Sequence, residues 1–309
     1  MTIAYIIACI VGSFFFLSVT GMLAMWVDRK VTARLQFRVG PPWYQNFADF
    51  VKLSGKEMLI PAKANIFVFA FAPVIAVLAA TVAGTVILLV MRTGFSYPGD
   101  IILIVYLLTV PSLAVILGGS ASGNVLAAVG ISREIKLLLG YELPFVCALI
   151  VPALKSGSTT SLLEIIRYQQ ANGAVIGSLS GIIGFVIALF ALQGKIGFVP
   201  FDLAEAEGEI ASGAFVEYSG ILLGLFKLTK AILLIVGPLF LVALYFGGIS
   251  LNSPAGIVAG ILKYLVILVL IILIKNTNPR LRIDQALRFF WGWLTLLGLA
   301  AILLALIGR

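Results

Sequence analysis

Five carboxylates, Asp202, Glu205, Glu207, Glu209 and Glu217, fall within the stretch VPFDLAEAEGEIASGAFVEYSG of a chain whose 309 residues are 61% hydrophobic and only 11% charged. Written as a helix over 202–210, the spacing predicts Asp202, Glu205 and Glu209 on one stripe at i, i+3 and i+7, with Glu207 turned elsewhere. Like charges so placed destabilise an isolated helix by roughly 0.2–0.5 kcal/mol per pair. Water can solvate the stripe, cations can neutralise it, or the acids can hold protons because close carboxylates raise one another's affinity for them.

Other ionisable residues sit where they are costly. Glu134 and Glu142 lie in ISREIKLLLGYELPFVCALI, eight residues apart. On a continuous helix they stand within about 80° of each other and about 12 Å apart along the axis. Glu142 enters an apolar stretch, and Pro144 is expected to loosen the helix around it. An ionised group at mid-bilayer costs on the order of 2.5–3.5 kcal/mol, so Glu142 is expected to face protein or water. Lys227 and Lys230, three residues apart, are expected on one face about 13–18 Å inside the longest apolar span, too deep for easy snorkelling and in need of acidic partners. Lys263, near the outer end of its span, is expected to snorkel.

The elements that hold these groups are membrane helices. Mean hydropathy is +1.16, and runs of about 20 apolar residues, each long enough to cross a hydrocarbon core of roughly 30 Å, recur along the chain. The predicted fold is all-α, a single integral membrane domain over 1–309 with about eight transmembrane helices at 3–26, 66–91, 101–122, 136–154, 174–193, 218–246, 257–275 and 287–307. Strand-like alternation, the mark of a barrel, does not occur. The first span reads as an anchor rather than a cleaved signal, because no basic residue precedes it. If the spans alternate, the loops 27–65, 123–135, 194–217 and 276–286, with the lysines and arginine that adjoin them, hold fourteen of the 21 Lys and Arg residues. These four loops are therefore expected in the cytoplasm and both termini outside. In that frame the net charge of +8 reports orientation and not a nucleic-acid partner. The first loop, 27–65, contains a predicted amphipathic helix over Phe47–Leu59 that lies at the interface. The loop 194–217 is the acidic one.

Composition also narrows the chemistry. There is no histidine, and the two cysteines, Cys9 and Cys147, fall in different predicted spans. Histidine-ligated haem, cysteine-ligated iron–sulfur clusters and ordinary structural zinc all need ligands that the chain lacks. No phosphate-cradling glycine motif is present either. No metal or cofactor site is expected in this chain, and any redox partner must hold the electrons.

PFDLAEAEGEIASGAFVEYSGILLGLFK, residues 200–227, resembles the signature loop and following helix of the H-type membrane subunit of respiratory complex I. DRKVTARLQFRVGPPWYQNFADFVKLSGKE resembles that subunit's first cytoplasmic loop, and NPRLRIDQALRFFWGWLTLLGLA, residues 278–300, its last loop and helix. Two departures point to a branch. Complex I subunits usually carry an acid where this chain has Lys230, and their helix corresponding to SREIKLLLGYELPF reads differently. Both features look more like the corresponding subunit of energy-converting membrane-bound hydrogenases and of the related sulfane sulfur reductases, which take electrons from ferredoxin and need no quinone.

The resemblance implies a non-catalytic junction subunit of an ion-translocating oxidoreductase in a prokaryotic cytoplasmic membrane. Its partners would be hydrophilic subunits carrying iron–sulfur clusters and in some cases nickel–iron, together with antiporter-like membrane subunits. Asp202, Glu205, Glu207 and Glu209 would form the entrance of a proton-linked relay, Glu217, Glu142 and Glu134 would continue it, and Lys227 and Lys230 would be its charge partners. Arg29, Arg34, Arg38, Lys52, Lys56, Arg280 and Arg282 would dock the hydrophilic module. Three other readings remain at this point: a quinone-binding complex I subunit, a stand-alone secondary transporter, and an inert anchor for a soluble hydrogenase, which would leave Lys227, Lys230 and Glu142 unexplained. The transporter is disfavoured because the acids cluster at one face and no internal repeat is evident.

Overall fold

The computed structural model describes residues 3–250 and 253–308, with the side chains of residues 3–6, 207 and 208 left aside. Its elements are α1 (Ile3–Leu35), α2 (Gln45–Ser54), α3 (Ile66–Thr93), α4 (Asp100–Ala121), α5 (Val125–Lys155), α6 (Leu162–Asn172), α7 (Leu179–Ile196), α8 (Glu207–Ile210), α9 (Gly220–Tyr245), α10 (Pro254–Thr277), α11 (Ile283–Leu287) and α12 (Thr295–Leu306). Eight helical segments among the described residues are long and apolar enough to cross a membrane; the last of them, Ile283–Leu306, joins α11 to α12 through a wide π-helical turn at Arg288–Leu294.

Local sequence sets most boundaries. The side chains of Asn65, Asn124, Ser161, Ser178 and Ser253 each accept a backbone N–H of the helix that follows, satisfying one of the donors a helix start leaves unpaired. Gly94 and Gly197 end α3 and α7 in the left-handed conformation, which glycine adopts without a Cβ penalty.

α9 is the hub, and it packs against α1, α3, α7 and α10. In its apolar window 94% of the residues are buried inside the protein, against 28% for α1 and α10. The hub therefore meets protein, and the outer helices meet the surroundings. Close approach explains how: a Cβ on Gly21 of α1 would meet the Ala231 carbonyl oxygen of α9 at 2.7 Å, the small-residue contact that membrane helices use in place of a hydrophobic drive.

The expected alternation is present. The segments 36–65, 122–124, 197–219 and 278–282 meet at one end, through Leu59 N–H to Ser219 Oγ, Asn124 to Glu217, Arg280 to Asp202, and Leu281 N–H to the Pro200 carbonyl. The other three loops gather at the opposite end. There the buried Asp100 accepts from Ser96 and from Leu162 N–H, while Gln169 ties α6 to Ala243 and Gly247.

Several expectations need correction. α1 runs to Leu35, so Arg29 and Arg34 are helical and not loop residues. α5 runs as one helix through Pro144 and Pro152. The amphipathic helix is ten residues long and ends at Ser54, and the chain is non-helical from Lys56 to Ile60. The short helix α6 was not anticipated. Lys263, expected to reach toward the outer end of its span, donates to the Phe246 carbonyl, which lies at the end of α9 opposite the loop-gathering end.

Replacing Gly21 with isoleucine is expected to force α1 off α9, a backbone collision costing about 1–3 kcal/mol or more. A lower unfolding temperature in detergent is the check; Gly12→Ile, with nothing within 4 Å of its would-be Cβ, is the matched control.

Candidate functional site

The acidic segment is not a helix. From Phe198 to Ala206 the chain is irregular, and only Glu207–Ile210 makes a single helical turn. The predicted stripe of Asp202, Glu205 and Glu209 therefore does not exist. The segment is pinned instead. Phe201 is buried against Phe289 and Phe290, with ring centroids 5.9 and 4.6 Å away. Gly213 takes φ +49°, and a Cβ there would sit 1.8 Å from the Ala204 carbonyl oxygen. On α5, a Cβ at Gly130 would strike the Ala214 nitrogen at 2.7 Å. Tyr218 stacks on Phe69 at 4.2 Å and donates to its carbonyl. These tethers are aromatic and steric, and they override the local helical pattern.

Pinned in this way, each described acid meets a different partner. Asp202 accepts from Arg280 at 2.8 Å. Glu205 pairs with Lys230 of α9 at 2.9 Å. Glu209, on the surface, pairs with Arg133 of α5 at 2.5 Å. Glu217 accepts from Asn124 Nδ2 at 2.5 Å. The Glu207 side chain lies outside the described residues. Asp202 titrates above the ordinary aspartate range: burial and the nearby Glu205 outweigh the pull of Lys230 and Arg280.

Deeper in the bundle lies a pair not foreseen from sequence. Lys195, at the end of α7 and 1% exposed, donates to Glu142 Oε2 of α5 at 2.6 Å and to Thr109 Oγ1 of α4 at 2.9 Å. Thr109 also lies 3.1 Å from Glu142 Oε1. The ammonium stands 5.0 and 4.9 Å from the ring centroids of Tyr141 and Phe145, close enough for a cation–π contribution. Between this pair and the loop acids is Glu134, buried on α5 with Ser112 in hydrogen-bonding reach and no cation within ion-pair distance among the described residues. A cavity of about 70 Å³ is lined by Ser112, Glu134, Lys195, Asp202, Glu205 and Lys230, polar and large enough for about two waters. The Asp202 Oδ1 atom, buried and without a partner among the described residues, belongs to this lining residue set.

A second cavity of about 660 Å³ shares Glu205 and Lys230 with the first, so that pair stands in the wall between them. Its other charged lining residues are Asp28, Arg29, Asp49, Lys227 and Lys275, and its apolar side includes Met22, Met25, Phe50, Leu53 and Leu223. Asp28 pairs with Lys275 at 2.6 Å. Both Lys275 and Lys230 lie over the Phe198 ring, at 4.8 and 5.3 Å. At the surface Arg29 pairs with Asp49, whose carboxyl is raised by partial burial but held below its ordinary value overall by hydrogen bonds from Arg29 and Gln45.

Lys227 and Lys230 do not form one buried pair of charge partners. Lys230 has its acid in Glu205, whereas Lys227 is exposed to the large cavity and has no carboxylate partner among the described residues. Arg29, Arg34, Arg38, Lys52, Lys56, Arg280 and Arg282 are all exposed at the loop-gathering end. Sequence reasoning missed Lys195, Asp28 and Lys275. Lys195 stands at the end of the run FVIALFALQGK, where it reads as a loop charge; Asp28 is the first acid after a long apolar span and reads as part of a basic loop.

Residues 7–306 match the family model described as NADH dehydrogenase. Similar proteins include the H-type subunit of the NADH-quinone oxidoreductase of Thermomicrobium roseum, 34% identical over 98% of this chain and 95% of the relative. The corresponding NADH-quinone oxidoreductase chain from Dehalococcoides mccartyi strain CBDB1 is 32% identical over 97% of this chain and 86% of the relative. Among solved structures, a chain of the membrane-bound sulfane sulfur reductase, described as an archaeal respiratory membrane complex, superposes with a TM-score of 0.88 at 29% identity, covering 97% of this chain and 99% of that one.

Lys195→Met alone is expected to lose about 3–5 kcal/mol, because Glu142 is left charged and unpaired in a low-dielectric site. Adding Glu142→Leu is expected to recover most of that loss, and chemical denaturation of the four proteins of this cycle measures the coupling. For Asp202 the sign follows from its raised proton affinity in the fold. Ionisation then subtracts stability as pH climbs from the ordinary value of 3.8 through the raised one. Asp202→Asn is expected to flatten that part of a stability-against-pH curve.

Proposed function

This chain belongs to the NADH dehydrogenase family, as an H-type membrane subunit of a complex I-like assembly, and we propose that it couples ferredoxin-linked electron transfer in docked hydrophilic subunits to proton or sodium translocation by antiporter-like membrane neighbours. The observation that carries the reading is the file of charges from the surface inward: Arg280–Asp202, Lys230–Glu205, Glu134 with no ion-pair partner among the described residues, and Lys195–Glu142. Two unit charges 4 Å apart interact by about 4 kcal/mol at an effective dielectric of 20. A proton gained or lost at one acid therefore alters the balance of the next pair, and no redox centre in this chain is required.

The electrons belong to the partners. Iron–sulfur clusters, and nickel–iron in a hydrogenase-type assembly, would sit in hydrophilic subunits docked on the exposed cations Arg29, Arg34, Arg38, Lys52, Lys56, Arg280 and Arg282. The membrane is the prokaryotic cytoplasmic membrane, with the loop-gathering end inside, where the excess of Lys and Arg favours it.

A second reading, reduction of a quinone, is favoured by one observation: a cavity of about 660 Å³ with an apolar side formed by Met22, Met25, Phe50 and Leu53. Against it, seven charged side chains line the same space, a poor match for an uncharged acceptor.

The purified complex supplied with reduced ferredoxin distinguishes the two: hydrogen or sulfide is expected, and quinol would overturn the ferredoxin-linked reading. In proteoliposomes, Glu142→Gln is expected to leave electron transfer in place while lowering ion uptake by about tenfold or more, the factor set by about 1.4 kcal/mol. Unchanged ion uptake with intact assembly would make the chain an anchor. Transport by the purified chain alone would make it a transporter.

A further inference from the structure

The buried threonines Thr81, Thr85, Thr109 and Thr229 each place Oγ1 within 2.7–2.9 Å of the carbonyl oxygen four residues earlier in the same helix. That is the ordinary way a helical hydroxyl is satisfied. Thr109 does more. It accepts from Lys195 Nζ at 2.9 Å and lies 3.1 Å from Glu142 Oε1, so its hydroxyl touches both members of the buried ion pair.

A hydroxyl has one proton to give. At Thr109 two acceptors stand within its reach, the Val105 carbonyl at 2.9 Å and Glu142 Oε1 at 3.1 Å. A carboxylate is the stronger acceptor, because a hydrogen bond to an ionised group is roughly twice as strong as one between neutral groups. With the pair ionic, the proton turns to Glu142, and both carboxylate oxygens are served: Oε2 by Lys195 at 2.6 Å and Oε1 by Thr109. With the pair neutral, that advantage is gone and the nearer Val105 carbonyl takes the proton. Rotation about one bond switches between the two arrangements, and no helix or loop has to move.

The location of the pair gives such a switch a use. Lys195 lines the small cavity together with Glu134, whereas Glu142 is not part of that lining and keeps 28% of its side chain exposed. Transfer of a proton across the 2.6 Å contact breaks an N–H bond at Lys195 Nζ and forms an O–H bond at Glu142 Oε2. The ion pair becomes a neutral amine and a carboxylic acid, with no other reactant, and the proton has moved away from the cavity.

We propose that Thr109 is a positioning residue that holds the Lys195–Glu142 pair in its ionic form and, by turning its hydroxyl to Val105, lets the pair become neutral in place. The ionic form uses Thr109 twice, as acceptor from the ammonium and as donor to the carboxylate, and both bonds are charge-assisted. The neutral form loses that assistance, so removing the hydroxyl favours it. This role rests on the reading of the charge file as a proton-linked relay; it does not depend on which electron carrier drives the complex.

Infrared spectroscopy of the intact complex, with no electron donor present, is the test. The carboxylic acid carbonyl band that Glu142→Gln removes reports the neutral form. Thr109→Val, which keeps the shape and removes the hydroxyl, is expected to raise the ratio of neutral to ionic pair by about tenfold or more, the effect of losing one charge-assisted hydrogen bond. Thr109→Ser, which keeps the hydroxyl, is expected to match the unaltered protein. So is Thr85→Val, which removes a back-bonded hydroxyl on α3 instead of α4. Where valine prevents assembly, Thr109→Ala makes the same comparison. An unchanged band in the valine or alanine variant, a serine variant that behaves like valine, or a Glu142 acid band already dominant in the unaltered protein overturns the proposal. In proteoliposomes, ion uptake per electron is expected to fall in Thr109→Val and to return in Thr109→Ser; a shifted band with uptake unchanged overturns the role in the relay. The infrared measurement needs no ferredoxin, so quinol formation would overturn the ferredoxin-linked reading and leave the role of Thr109 standing.

Discussion

An ammonium held against a carboxylate inside a bundle of apolar helices is the constraint on which the arrangement depends. Taking each ion out of water costs several kcal/mol, and mutual attraction offsets this only where geometry and extra hydrogen bonds are good. Lys195 and Glu142 meet at 2.6 Å, Thr109 touches both, and two aromatic rings flank the ammonium. Such a site needs α4, α5 and α7 at fixed spacing. Gly194 allows it, since a Cβ there would stand 2.9 Å from the Tyr141 ring. Tyr141 in turn donates to Ser112, fastening α5 to α4 one turn from the pair.

The same rule orders the rest of the interior. Asp28 with Lys275, Glu205 with Lys230 and Asp202 with Arg280 each join elements distant in sequence. Each pair therefore does two things: it neutralises a charge in a poor solvent and it fixes where a loop or helix sits. Glu205 and Lys230 add a third property, because they stand between the two cavities. Any change in that pair's charge alters the barrier between the large cavity and the small one that reaches Lys195.

Much of this was legible in the residues. Eight spans, their alternation and the loop-gathering end followed from apolar length and the placement of Lys and Arg. The acids Asp202, Glu205, Glu134 and Glu142 were recognisable because carboxylates are rare in such a chain. What could not be read was pairing. Lys195 looks like the first loop charge until α7 is seen to carry it into the bundle. The stripe predicted over 202–210 failed because tertiary anchors, Phe201 against Phe290 and Gly213 against Ala204, decide the backbone there.

The pinned loop bears on how a signal travels in the proposed relay. Its start is tied by the Pro200 carbonyl to Leu281, its middle by Ala204 to Ala214, and its end by Tyr218 to Phe69. Large displacement of Asp202 or Glu205 would have to break several of these ties together. A change of charge needs none of them broken. At an effective dielectric of 20, a unit charge 8 Å away contributes on the order of 2 kcal/mol, well above thermal energy. In the proposed relay, protonation at the loop would be felt at Glu134 and at the Lys195–Glu142 pair through the low-dielectric interior, with helices α5, α7 and α9 serving as the fixed frame. An electrostatic relay is the economical mechanism for a site whose acids are this firmly held, and a mechanical one would call for the looser loop that this sequence does not make.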